Sequence, residues 1–198
     1  MMSPILKKEY FLPTKLSRSQ FYQWMKENSN RYQGCYLMAI NRNPKDLTDD
    51  QISYVDAVEI ALCFGWIDST IRKINNIPYR RFSPRKVKSH WTELNKERCR
   101  RLIKIHQMTE EGRKILPDLE KIFEKPKEII KDLQKDQEAY RFFQQTPELY
   151  QRIKLDNLFF YKKKDPVQYQ KSLKHFLEAC RNKKLYGNYN DFGRLDKY

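Results

Sequence analysis

Glycine is scarce, with five in 198 residues, and none of the five sits in a loop that could cradle phosphate. Neither G-x-x-x-x-G-K-[ST] nor G-x-G-x-x-G occurs, which removes P-loop and dinucleotide-fingerprint chemistry. H-E-x-x-H and G-x-S-x-G are also missing. The tripeptide Asp191-Phe192-Gly193 matches a kinase signature by chance, because no glycine-rich loop precedes it. Cysteine is sparse too. Cys35, Cys63, Cys99 and Cys180 stand singly, without C-x-x-C and without a histidine at ligand spacing, so neither a disulfide framework nor a zinc site is expected. His90, His106 and His175 are isolated, and no metal or other cofactor is expected. Long apolar runs are lacking as well. Met1 to Lys15 mixes Lys7, Lys8, Glu9 and Pro13 among its apolar residues, which is not the core of a secretory signal, and no segment is apolar for long enough to span a bilayer. The expectation is a cytoplasmic protein without a membrane span.

What is present is hydrophobic enough, at 39% with 14% aromatics, to bury a core in one domain or one domain with a helical extension. The net charge of +15 is concentrated. Met1 to Ser69 carries 8 basic and 8 acidic residues, whereas Thr70 to Lys104 carries 12 basic and only 2 acidic ones. Such a window draws anionic partners, or is a solvated basic surface that aids solubility.

Ser17-Arg18-Ser19-Gln20 and Thr48-Asp49-Asp50-Gln51 fit the capping-box pattern and predict two helix starts. The first helix carries Phe21, Trp24 and Met25, and the second ends at Gly65, the residue that takes the left-handed conformation without strain. Gly34 to Ile40 reads as a buried strand. Trp66–Ile74 and Ile77–Ser83 flank Asn75-Asn76 and read as a hairpin, in which Ile74 pairs with Ile77, Arg72 with Tyr79 and Thr70 with Arg81. Plain alternation then puts Asp68, Thr70, Arg72, Tyr79, Arg81 and Ser83 on one polar face. Pro78, with no amide donor, suggests an edge strand. From Trp91 to His106 the spacing is helical, with Trp91, Leu94, Cys99, Leu102 and Ile105 inward and the row Lys96, Arg100, Lys104 outward. Thr109 caps a short helix. After Pro126 only helices are expected, with starts at Asp136, Thr146-Pro147 and Asp165-Pro166, and Gly187 closing the last. Two regions follow: an α+β domain over 1–116 and a helical C-terminal region over 117–198, which could pack as one unit.

Four sequence blocks stand out: Ala61 to Asp68 (ALCFGWID), Arg81 to Arg85 (RFSPR), Ser89 to Asn95 around Trp91, and Met108 to Gly112 (MTEEG). They resemble the blocks of the bacteriocin-protection family, described as YdeI- or OmpD-associated. The likeness runs from about Arg18 to Gly112. In the C-terminal half, Tyr161 to Gln168 departs from the A-K-x-x-x-T-R segment usual in that family. The resemblance implies a protection phenotype and no defined reaction.

Asp68, Arg72, Tyr79, Arg81, Arg85 and Trp91 form the candidate ligand site: three guanidiniums for a phosphate or carboxylate, Asp68 to orient one of them, and an aromatic wall. The simpler account of Asp68 and Arg81 is an ion pair that fixes the hairpin. Cys63 reads as a packed thiol rather than a nucleophile, because the C-terminal end of a helix disfavours the thiolate, and no catalytic residue is assigned. With this resemblance the sequence supports a cytoplasmic, non-enzymatic binding protein of the bacteriocin-protection type that holds an anionic ligand or partner on the basic hairpin and the helix after it. Its rivals are an enzyme acting on a small anionic metabolite through Asp68, Arg72, Arg81 and Arg85, and a nucleic-acid-binding module that uses Lys96, Arg100 and Lys104.

Overall fold

The computed structural model describes residues 8–39, 44–87 and 89–198. Ile40 of the expected strand, Lys88 of the basic window and the first seven residues lie outside them. The fold is α+β, with helices packed on a four-stranded sheet and a helical C-terminal region. It divides into two compact units, one of Met1–His90 with Arg98–Pro117 and one of Trp91–Glu97 with Asp118–Tyr198.

In the first unit the sheet order is β1-β2-β4-β3, with β1 Tyr10–Phe11, β2 Cys35–Met38, β3 Trp66–Ile74 and β4 Ile77–Pro84. β1 joins parallel to β2, and the other pairs are antiparallel. Asn75 and Asn76 both take positive φ (49° and 63°), the backbone that a two-residue hairpin turn requires. β4 is central, which corrects the edge assignment drawn from Pro78. Its carbonyl accepts from the Ala39 amide at 2.7 Å. The two-residue turn makes Ile74–Ile77 the hydrogen-bonded pair, so Pro78 opposite Lys73 falls at a position that owes β3 no donor, and β2 stops at Met38, opposite Tyr79.

Helix α1 (Arg18–Asn28) starts with the full capping box of Ser17 and Gln20. Helix α2 (Tyr54–Cys63) does not start at Thr48: Ser53 caps it by accepting from the Asp56 amide, while Thr48 to Gln51 closes a separate turn. Phe21 packs on Phe82, and Trp24 meets Trp66 edge-on, which places α1 against one face of the sheet. Within α2, Glu59 is buried among apolar neighbours and Arg101 donates to it at 2.7 Å. A charge withdrawn from water in this way needs its partner.

α2 ends at Cys63, and Gly65 (φ 74°) turns the chain into β3. The short helix α4 (Glu110–Arg113) is locked onto that end. Thr109 caps α4 and its hydroxyl also donates to the Cys63 carbonyl at 2.5 Å. A Cβ at Gly112 would lie 2.3 Å from the Cys63 oxygen and 2.6 Å from the Met108 sulfur.

Helix α3 (Glu93–Lys104) buries Cys99 and Leu102 as expected, but also Glu93, Asn95, Glu97 and Arg98. The departure has an electrostatic cause. In the second unit, Arg152 donates to Glu93 at 3.0 Å and to Glu97 at 2.9 Å, and Asp156 accepts from the Glu93 amide at 2.9 Å. Carboxylates one turn apart thus face inward to share one guanidinium. The rest of this unit is α5 (Lys127–Gln134), α6 (Gln137–Gln144), α7 (Glu148–Lys164) and α8 (Pro166–Arg181), around a core that includes Ile129, Leu133, Phe143, Tyr150, Leu155 and Phe176. Asp136 caps α6, and Asp165 caps α8 with Pro166 at its first position. Thr146 instead donates to the Phe143 carbonyl, and α8 ends at Arg181, before Gly187. Among the described residues no helix is long and apolar enough to cross a membrane.

Gly112→Ala weighs helix propensity against a backbone clash. Alanine gains about 1 kcal/mol in a helix, yet a carbonyl oxygen at 2.3 Å cannot yield as a flexible side chain would. The expected outcome is a net loss of about 2 kcal/mol in urea unfolding, and an unchanged midpoint would refute the α2–α4 lock.

Candidate outer-face site

β3 carries a bulge between Asp68 and Ile71, where Ser69 and Thr70 together oppose Arg81. Beyond it Asp68 pairs with Phe82, not with Ser83 or Arg81. One additional residue reverses the alternation of every position before it. Asp68 therefore lies on the helix-covered side, where Arg80 donates to it at 2.9 Å and the Tyr54 hydroxyl at 3.1 Å. The Arg80 guanidinium also sits 4.4 Å from the centre of the Tyr54 ring, and burial raises the Tyr54 hydroxyl above its ordinary range, with Asp68 adding to the shift. The expected Asp68–Arg81 pair is thus corrected to Asp68–Arg80, and Asp68 and Arg81 occupy opposite faces.

Arg81 faces outward with Arg72 and Tyr79, the partner of Arg72 in the ladder. Its Nε donates to Glu9 at 2.5 Å and one Nη to the Gln33 carbonyl at 3.2 Å. Although burial opposes it, hydrogen bonds from Arg81 and Tyr36, helped by the charges of Arg81 and Arg72, hold the Glu9 carboxyl below its ordinary range. Tyr36 pairs with both Arg81 and Phe11 in the sheet and so shares this face. Phe11 stacks on Tyr36 at 4.6 Å and 9°, Tyr79 meets Phe11 edge-on at 5.8 Å, and the Arg72 guanidinium lies 6.0 Å from the Tyr36 ring centre. Tyr36 is buried beneath these groups, while Phe11 remains 52% exposed.

The other candidates go elsewhere. Arg85 is buried, its guanidinium donating to the His90 carbonyl and its amide to the Gly65 carbonyl, and Trp91 falls in the second unit. Lys96 also falls there, ion-paired with Glu93 at 2.7 Å, while Arg100 and Lys104 belong to the first unit and each has a partner. Hence three of the six expected ligand residues come together, joined by Phe11, Tyr36 and Glu9, which the sequence did not single out. Strand alternation could have found Tyr36, since its neighbours Cys35 and Leu37 point into the core. Phe11 belongs to a two-residue strand that leaves no periodic signal.

Among the described residues this face is aromatic and partly exposed, with an arginine at its margin. On the opposite side, the space bounded by Leu37, Ile52, Tyr54, Arg80 and Phe82 holds about 10 Å³, room for about one water. No three His, Cys, Asp or Glu side chains converge as metal ligands among the described residues. All four cysteines are free and buried. Burial pushes the Cys63 thiol up to about 12, with Glu59 adding to the shift.

Residues 14–115 match the model of a family described as a domain of unknown function (DUF8412), and the chain belongs to that family. No curated protein and no solved structure matches.

Two measurements test this geometry. Arg80→Ala leaves the half-buried Asp68 carboxylate without its counter-charge and should cost about 2–3 kcal/mol in urea unfolding. Arg81→Ala, at a more exposed pair, should cost less than about 1 kcal/mol, so equal losses would contradict the assignment. In the native protein Cys63 should react with iodoacetamide no faster than Cys99, which burial also pushes up to about 12. Selective rapid alkylation of Cys63 would reverse the packed-thiol reading.

Proposed function

We propose that this member of a family without an assigned function is a non-enzymatic binding protein whose outer sheet face holds a single-stranded nucleic acid. One observation carries the reading: a stacked platform of Phe11 on Tyr36, with Tyr79 beside it and Arg72 over it, on the open side of the sheet. Unpaired bases stack on such rings whatever their sequence, and arginine adds attraction to phosphate and to base faces. The basic excess between Thr70 and Lys104 gives the longer-range attraction that a polyanion requires.

The proposal keeps the anionic partner expected on the hairpin and takes its class from the nucleic-acid rival, but without that rival's helical row. Lys96 is neutralised by Glu93, and the three members of that row are divided between the two units. The small-metabolite reading draws less support, because its residues Asp68 and Arg81 lie on opposite faces and Arg85 is buried. The likeness to the bacteriocin-protection family offers a physiological setting for such a binder, namely protection by sequestering or shielding an anionic target.

Binding of a fluorescent 12-residue single-stranded oligonucleotide, followed by anisotropy, tests the proposal. Tyr79→Ala and Phe11→Ala should each weaken affinity about tenfold, as the loss of one stacked base does. Arg72→Gln should weaken it and also flatten the dependence of affinity on salt. Joint replacement of Lys96, Arg100 and Lys104 by Gln should have a smaller effect than Tyr79→Ala. The reverse ranking would return the site to the helix, and absence of binding at low salt would refute both versions.

A further inference from the structure

Lys154 projects from α7 into a cleft of about 260 Å³ within the second unit, lined by Asn157, Leu158, Gln168, Ser172, Phe176 and Tyr186. Its ammonium lies over two aromatic faces, 5.3 Å from the Tyr150 ring centre and 5.1 Å from that of Tyr186. No carboxylate stands within ion-pair distance of it among the described residues. Two turns further along the same helix, Lys162 also lies over a tyrosine, Tyr169, at 5.3 Å, but is held by Asp132 at 2.6 Å and Glu128 at 3.6 Å. The contrast isolates Lys154 as an amine set apart from counter-charges. Gly187 passes beside it, and a Cβ there would approach the amine to 3.3 Å.

We propose that Lys154 is a reactive amine that captures a small aldehyde or ketone with a planar, largely apolar body as an imine in this cleft. The lone pair of Nζ adds to the carbonyl carbon and forms the C–N bond, while the carbonyl electron pair moves to oxygen. A proton passes from nitrogen to that oxygen. Loss of the hydroxyl with a second proton, as water, then leaves C=N, and neither oxidant nor reductant is consumed. Leu158, Phe176 and Tyr186 provide an apolar wall for the ligand's body, and Asn157, Gln168 and Ser172 provide amide and hydroxyl groups for its polar edge. The state of the amine agrees with this role. Burial pushes Lys154 down to about 8, an effect the two ring faces oppose by favouring the ammonium. At pH 7 about one amine in ten is then neutral, against fewer than about one in a thousand for an exposed lysine.

The test treats the full chain with limiting benzaldehyde and sodium cyanoborohydride at pH 7 and locates the modified residue by peptide mass spectrometry. The hydride fixes each imine as a secondary amine. Lys154 should carry most of the label, with at least tenfold faster modification than Lys162 or Lys163, and its labelling should reach half its maximum near pH 8. Lys154→Met should remove that fast phase while keeping the circular dichroism spectrum of the folded protein. Ser172→Ala, which leaves the amine in place, checks that the cleft positions the aldehyde and should slow labelling of Lys154 alone. Equal labelling of Lys154 and surface lysines, or labelling at Lys154 that still climbs above pH 10, would overturn the proposal.

Discussion

The bulge of Ser69 and Thr70 against Arg81 decides what each side of the sheet can do. With strict pairing, Asp68 would stand beside Arg81 on the outer face, and the carboxylate would compete for every arginine there. The additional residue turns Asp68 inward to Arg80 and Tyr54. Arg72 keeps the register set by the turn, ahead of the bulge, and remains outside with Tyr79. A local irregularity thus separates a structural ion pair from an open aromatic surface, which two perfectly alternating strands could not have done with the same residues.

The same division of labour governs the charges. A net charge of +15 invites the picture of a continuous basic surface. Four arginines are instead committed to the fold: Arg80 to Asp68, Arg101 to the buried Glu59, Arg152 to Glu93 and Glu97, and Arg81 to Glu9. The buried pairs among these, unlike the more exposed Arg81–Glu9, add little net stability relative to apolar packing, but they strongly penalise any arrangement that separates the partners. They therefore select one packing among those an apolar core would allow. Pairing leaves the net excess in place, and in the proposed reading that excess attracts at long range while Arg72 over the Tyr36 ring makes a local contact.

The legible parts of the sequence were those where chemistry acts over a few residues. Asn75-Asn76 specified the turn, Ser17 with Gln20 the start of α1, Gly65 the end of α2, and Asp165-Pro166 the start of α8, because each depends on φ, on a missing donor or on an adjacent acceptor. The misread parts depended on partners distant in the chain. Ser69 and Thr70 suit a regular strand as well as a bulge, so nothing local marks the change of register. The inward turn of Glu93 and Glu97 requires Arg152, some 55 residues away in the chain, and an apolar-face template treats both as solvent-facing. Pro78 was misplaced for the opposite reason: the local rule about its missing donor is sound, but its position beside the turn satisfies that rule within a central strand.

The candidate site has the same physical logic. Most residues of the blocks that resemble the bacteriocin-protection family serve as scaffold. Gly65 redirects the chain into β3, Trp66 donates to the Ser29 carbonyl at 3.1 Å, Thr109 and Gly112 clamp the end of α2, and Arg85 is turned into the fold. The platform residues Phe11, Tyr36, Arg72 and Tyr79 all lie outside those blocks. A likeness built on the blocks can therefore carry the fold from one chain to another without carrying the partner. In the proposed reading, recognition rests on side chains of β1, β2 and the hairpin tip, which can change with little cost to the lock between α2 and α4. The Lys154 cleft is further removed, since it lies outside residues 14–115 and depends on the packing of α7, α8 and the chain that follows them. Any chemistry there belongs to this chain's C-terminal helices, and could differ between proteins that share the sheet.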